Sequence, residues 1–373
     1  MSKSKFRGGL SSIFNSPSPS VPLSLSLCLS PSNNRPKMLV VLSPAKTLTI
    51  DSISTKAAKA SPRFAAQADA LVAAALSKLS PSALAKLCEV SPALGQLNHA
   101  RFQAWNSANN PRAAAALAFD GPAFKALGAR SMDPRLLASA DERVRCLSGL
   151  YGVLKPTDAI QPYRLCMGTK IGQPTKDLYA FWGENVARAL DADLDAQKER
   201  GGKSGIRVIV NAASQEYWKV VEGKLRRETR VVSVSFPGAP AVYAKQAKGA
   251  VARFVAERAL AAPEGLREFA GGGLEGSWRF DAAASSEDSF VFRRSAGKAA
   301  APRTEKAKAG GGAAAEVKRE EEGEAAAAAA AASSRAARGG GGSKRAAAAH
   351  AAPSSVAVKA EPAKRRRAAG TRK

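Results

Sequence analysis

Residues able to build a hydrophobic core are confined to one stretch of this chain, roughly 38 to 294, and that confinement sets its folding problem. From about Ser295 onward the sequence is mostly Ala, Gly, Lys and Glu, with an alanine run at 325–332 and a glycine run at 339–342. Such a segment cannot bury enough apolar surface to offset its conformational entropy. Residues 1–37 are rich in Ser and Pro and carry Lys3, Lys5, Arg7, Arg35 and Lys37 with no Asp or Glu. The expected organisation is a leader over 1–37, one globular domain over 38–294 and a basic tail over 295–373, with both ends disordered.

The acid-free leader has transit-peptide composition, so a chloroplast or mitochondrion is expected; with Met38 as the start of translation the protein stays in the cytosol. Lys364-Arg365-Arg366-Arg367 in the tail resembles a nuclear localisation cluster and equally suits a non-specific nucleic-acid arm. Val317-Lys318-Arg319-Glu320 and Val358-Lys359-Ala360-Glu361 match the short acceptor pattern for SUMO, a pattern common by chance in Lys/Glu-rich tails. No apolar run approaches the roughly 20 residues needed to span a bilayer. The expectation is a soluble, intracellular protein with no membrane partner and an oligomeric state the sequence leaves open.

Charge narrows the partner class. The middle segment alone holds 35 basic and 24 acidic residues, a net +11, which suits polyanions whose counterions are released on contact. Scattered solvated lysines and arginines give the same total. Cys28, Cys88, Cys146 and Cys166 lack metal-ligand or redox spacing, and His99 is the only histidine of the middle segment, so neither a metal nor another cofactor is expected.

Within 38–294, β-rich runs alternate with helical periodicity. Met38–Leu42, Arg207–Asn211 and Val231–Phe236 are apolar, β-branched and bounded by turn residues, as buried strands are. Helices are predicted over 62–79, 81–90 behind a Ser80 cap with Pro81 at the first position, 177–197, and about 241–260. Trp278–Asp281 and Phe290–Arg293 suggest a closing hairpin. The fold class is α/β, mixed α and β in one domain, with an order too irregular to name a doubly wound sheet.

Several motifs could carry chemistry. Ser43-Pro44-Ala45-Lys46 has the Ser-x-x-Lys spacing of acyl-transfer serines, but neither Ser-Asp-Asn nor Lys-Thr-Gly accompanies it; Lys46 then projects from a strand end toward an anion or caps it. In Leu147-Ser148-Gly149-Leu150-Tyr151-Gly152-Val153-Leu154-Lys155-Pro156, two glycines three apart permit a tight hairpin whose N–H groups could face a phosphate, as in a helix-hairpin-helix element. An ordinary turn uses the same glycines. Lys155, Arg164, Lys170 and Lys176 follow and could neutralise neighbouring phosphates. Asp177 suits a helix N-terminus, Ser214 a helix cap after a strand, and Leu178, Phe181 and Trp182 a core-facing stripe. Lys245, Lys248 and Arg253 form one basic helix face, which solvent alone would also explain.

Taken in order, Ser43 to Leu48, Ser148 to Pro156, Pro162-Tyr163-Arg164-Leu165, Lys176-Asp177-Leu178-Tyr179, Phe181-Trp182-Gly183, Ala213-Ser214 with Glu216-Tyr217, and Tyr243-Ala244-Lys245 resemble the YaaA peroxide-stress family across 38–294. The resemblance implies a protein of the hydroperoxide response that lowers free iron. It also implies one α/β domain with a helix-hairpin-helix-like element and a positively charged cleft, and no established reaction. Carried onto this chain, double-stranded DNA contacts to the backbone fall on Gly149, Gly152, Lys155, Arg164 and Lys176. The cleft falls on Ser43, Lys46, Asp177, Tyr179, Ser214, Glu216, Tyr243 and Lys245, with Lys176 beside it. Two positions depart from the family pattern: Cys166 stands where family members have the glutamate of an Arg-Leu-Glu-Met-Gly string, and Lys248 replaces an arginine. An enzyme acting on a nucleotide or another small anion in the cleft is the alternative reading.

Overall fold

Five consecutive apolar residues, Met38–Leu42, have no polar face to offer water, and they form a strand (β1) buried on both sides, no residue more than 1% exposed. The structure, a computed structural model, describes residues 38–172, 175–201, 207–271 and 277–294. The leader, the tail and the signals read in them lie outside the described residues. The remaining strands are β2 (Ala113–Ala114), β3 (Val144–Ser148), β4 (Gly152–Leu154), β5 (Ala159–Ile160), β6 (Arg207–Asn211), β7 (Thr229–Ser235), β8 (Trp278–Phe280) and β9 (Ser289–Arg294). Seven of them make one sheet in the order β4-β3-β1-β6-β7-β9-β8, while β2 and β5 pair separately.

The five inner strands, β3, β1, β6, β7 and β9, run parallel, and β4 and β8 close the edges antiparallel. This is an α/β fold, as expected, and the predicted closing hairpin is the β8–β9 pair, with Trp278 opposite Arg294. From β1 the chain crosses to β3 on one side, whereas β6 and the strands after it lie on the other. In open parallel sheets such a reversal leaves a crevice at the carboxyl ends of the two strands, here β1 and β6.

β3 escapes a periodicity reading because it contains Arg145. The guanidinium is 4% exposed and stays charged inside by donating to Asp193 at 2.6 Å and to the carbonyls of Asp141 and Val144. Burial alone would push the Asp193 carboxyl up; Arg145 and Arg63 outweigh it and hold the group below its ordinary value.

Local signals explain several helix ends. Ser80 caps Pro81–Leu87 through the Ala83 N–H at 3.2 Å, and Asp177 caps Leu178–Trp182 through the Ala180 N–H at 2.8 Å. The helix predicted over 177–197 is two helices, Leu178–Trp182 and Asn185–Gly201, because Gly183 at φ +50° ends the first. The long helix Ala241–Arg258 packs on the helices Pro122–Leu127 and Pro134–Arg143. Its approach to the first is so close that a side chain on Gly249 would put Cβ 1.8 Å from the Ala123 carbonyl oxygen. Among the described residues, no single helix is long and apolar enough to cross a membrane.

The helix-hairpin-helix expectation is corrected. The glycine turn joins two strands, β3 and β4, which pair antiparallel with Ser148 opposite Gly152. Gly149 to Gly152 are all buried. Internal bonds hold the turn: Tyr151 N–H donates to Ser148 Oγ at 2.9 Å, Ser148 Oγ shares a 2.6 Å bond with Tyr163 OH, and Trp182 Nε1 donates to the Gly149 carbonyl at 2.9 Å. Gly152 sits at φ +68° under Trp182 and Phe64, so it serves a left-handed turn packed against aromatic rings.

Candidate functional site

The crevice at the ends of β1 and β6 is occupied by two serines that find each other across 171 residues. Ser43, the first residue beyond β1, donates from Oγ to Ser214 Oγ at 3.1 Å, and the Ser214 N–H returns a bond to Ser43 Oγ at 2.8 Å. Ser214 occupies the cap position of the helix Gln215–Trp218, as predicted, but its hydroxyl makes no capping bond. It is committed to Ser43 instead. For the same reason Ser43 is bonded to Ser214 and not to Lys46, so the Ser-x-x-Lys spacing does not produce a serine–lysine pair.

Around the serines lies a cavity of about 320 Å³, walled by the loop Ser43–Thr47, the segment Asp120–Phe124, Cys166, Glu216, Tyr217, Lys245 and Lys248. Lys46 and Lys245 are exposed. Lys248 is half-buried, its Nζ donates to the Ala213 carbonyl at 3.0 Å, and desolvation pulls its pKa below the ordinary lysine value. Glu216 Oε1 accepts from the Gly168 N–H at 3.2 Å, and its backbone carbonyl accepts from Tyr179 OH at 2.8 Å. Burial and the neighbouring Glu216 push the Cys166 thiol up, against the opposing pull of Lys46 and Arg164. That environment keeps the sulfur protonated, so it is a poor nucleophile.

Five of the eight residues expected in the cleft therefore meet there: Ser43, Lys46, Ser214, Glu216 and Lys245. Tyr179 and Asp177 support it from outside, Tyr179 by holding the Glu216 backbone and Asp177 by capping the helix that carries Tyr179. Tyr243 lies instead beneath the Arg294 guanidinium, 4.5 Å from its ring centre. Asp120 to Phe124, Tyr217 and Lys248 join the wall. Tyr217 comes with its neighbour Glu216 in the helix Gln215–Trp218, whereas Asp120 to Phe124 and Lys248 meet through the packing of the helix Ala241–Arg258 on Pro122–Leu127, which no local pattern announces.

The five residues assigned to DNA contact are not gathered on one surface. Gly149, Gly152 and Arg164 are buried. Asn98 clamps the backbone of Arg164, donating to its carbonyl at 2.8 Å and accepting from its N–H at 3.1 Å. Lys155 lines a separate cavity with Arg63, Arg145, Asp158 and Asp193, and Lys176 stands exposed in the loop before Leu178. Among the described residues, no group of three or more His, Cys, Asp or Glu side chains is arranged to hold a metal ion.

A family model described as peroxide stress protein YaaA matches residues 38–280. The chain belongs to the YaaA family. A UPF0246 protein of Burkholderia mallei is 44% identical over 270 residues, covering 70% of this chain and 100% of the relative. The UPF0246 proteins of Burkholderia pseudomallei and Burkholderia thailandensis match over the same length at 44% and 43% identity. The YaaA match spans every strand from β1 to β8, and with them both serines and all three lysines of the cleft.

Proposed function

We propose that this YaaA family member acts in the peroxide-stress response by holding a phosphate-bearing anion in the cleft between β1 and β6. The observation that carries the reading is the convergence of Lys46, Lys245 and Lys248 with the paired hydroxyls of Ser43 and Ser214 at the switch point of a parallel sheet. Three ammonium groups supply charge, and the Ser214 hydroxyl, whose hydrogen the bond from Ser43 leaves free, supplies a directed donor to one oxyanion. Isothermal titration of inorganic phosphate into the full chain tests it. Binding that weakens at high salt and is lost in Lys46→Ala supports the reading; no binding in parent protein refutes it.

Double-stranded DNA is the second reading, favoured by one observation. Glu216, in the cleft wall, is tied to Gly168 and Tyr179, and close in sequence to these two residues stand exposed Lys170 and Lys176, with Lys219 Nζ 5.1 Å above the Tyr179 ring. These lysines would contact phosphates without reading bases. Lys176→Ala should weaken duplex binding uniformly across sequences and reduce the salt slope by about one unit. A restraint on peroxide-reactive iron, which the family resemblance implies, belongs to the same proposal; chelatable iron in peroxide-treated cells lacking the protein measures it.

A further inference from the structure

Beyond its lysines the cleft is bounded by Asp120 and Phe124, which also line a second cavity of about 510 Å³, so the two cavities adjoin at these residues. The second cavity differs in character. Its floor is apolar, from Ala116, Leu117, Phe119 and Phe124, each 3–5% exposed, and its rim is polar, with Thr49, Lys125, Ser131 and Arg130, the last paired with Asp51 at 2.6 Å and donating to the Leu117 carbonyl at 3.1 Å.

Resting on the anion reading of the cleft, we propose that the site takes a ribonucleoside phosphate. The three zones follow the order of that molecule's parts. Phosphate sits among Lys46, Lys245 and Lys248; the sugar lies at the junction, against Asp120; the base lies across the apolar floor. A carboxylate accepts only, and it accepts about four hydrogen bonds. Asp120 now takes one from Thr49 Oγ1 at 3.3 Å and an ion pair from Lys125 at 3.2 Å, whose side chain is 70% exposed. Two ribose hydroxyls can be added to these. A base has apolar faces and a polar edge, matching a floor of carbon and a rim of Thr49 and Arg130. An acyl chain would strip water from the same rim and return no hydrogen bond. Both cavity volumes fall within the roughly 300–1,000 Å³ of small-molecule sites.

A free ribonucleotide and one unit of an RNA strand present the same chemistry, and titrations of the full chain separate them. The probes are inorganic phosphate, ribose 5-phosphate, the four ribonucleoside 5′-monophosphates, their 2′-deoxy forms and a 5′-phosphorylated oligoribonucleotide. At least one monophosphate should bind about tenfold or more tighter than inorganic phosphate, as base packing is worth that much. Its 2′-deoxy form should bind more weakly, and Asp120→Ala, which removes the acceptor, should abolish that gap. Thr49→Trp, which fills the second cavity from its rim while keeping the backbone bond to the Ala118 carbonyl, should reduce the nucleotide to the affinity of ribose 5-phosphate. Melting curves establish that both variants are folded. An oligoribonucleotide tighter than every monophosphate assigns the site to a strand; the reverse assigns it to the free nucleotide. Phosphate bound through Lys46, with no monophosphate tighter, overturns the inference and leaves the anion reading standing. No binding of phosphate or nucleotide overturns both.

Discussion

Gly249→Ala sets two large effects against each other. In the middle of an exposed helix the change should stabilise by about 1 kcal/mol, since alanine loses less backbone entropy than glycine. Here the new Cβ would lie 1.8 Å from the Ala123 carbonyl oxygen, 1.6 Å short of the 3.4 Å at which ordinary contact begins. The obstacle is backbone on both sides, so no rotamer change relieves it, and the helices Ala241–Arg258 and Pro122–Leu127 must part. Overpacking costs about 1–3 kcal/mol or more, and a backbone obstacle belongs at or above the top of that range. The net expectation is a loss of about 2 kcal/mol, which for a domain of this size lowers Tm by roughly 4–8 °C. Because the first helix carries Lys245 and Lys248 and the second follows Asp120, parting them should also weaken phosphate binding more than the stability loss alone explains. Thermal melting by circular dichroism, with titration well below the transition, measures both. A variant that melts at or above the parent temperature would refute the close approach and, with it, the account of how the lysines reach the cleft.

Three further outcomes follow from named groups. Gly152→Val should lower the melting temperature, since valine is strained at φ +68° and its Cβ meets Trp182 at 3.0 Å and Phe64 at 3.1 Å; parent-like melting would mean the turn is not packed there. Burial raises the Asp158 carboxyl to about 6 from an ordinary 3.8, so the folded state holds that proton more tightly and stability falls as pH rises from about 4 to 6. Asp158→Asn should flatten that portion of the profile in denaturant midpoints, and an unchanged slope sinks the assignment. With its thiol pushed up by burial and by Glu216, Cys166 should alkylate with iodoacetamide more slowly than free cysteine at pH 7.5 and faster after Glu216→Gln; a parent rate above that of free cysteine contradicts this.

Sequence alone determined the features that depend on a few neighbouring residues. The apolar run of β1 had to be a buried strand, Ser80-Pro81 and Asp177 had to start helices, and the ordered motifs placed the chain in its family. The hairpin and the cleft were decided by tertiary structure. Gly149 and Gly152 suit a turn between helices as well as one between strands, and the choice went to strands because β3, with its buried Arg145–Asp193 pair, needed an edge partner in β4. Ser214 looked like a helix cap because capping is local; its hydroxyl bonds Ser43 because parallel pairing of β1 with β6 sets both strand ends side by side. Likewise Lys248 reads only as part of a basic helix face until Gly249 lets that helix settle on Ala123. Hydrogen bonds and caps act over three or four residues, so a sequence displays them. A cleft assembled from 43, 120, 166, 214 and 248 exists only once strand register and helix contact have closed those separations.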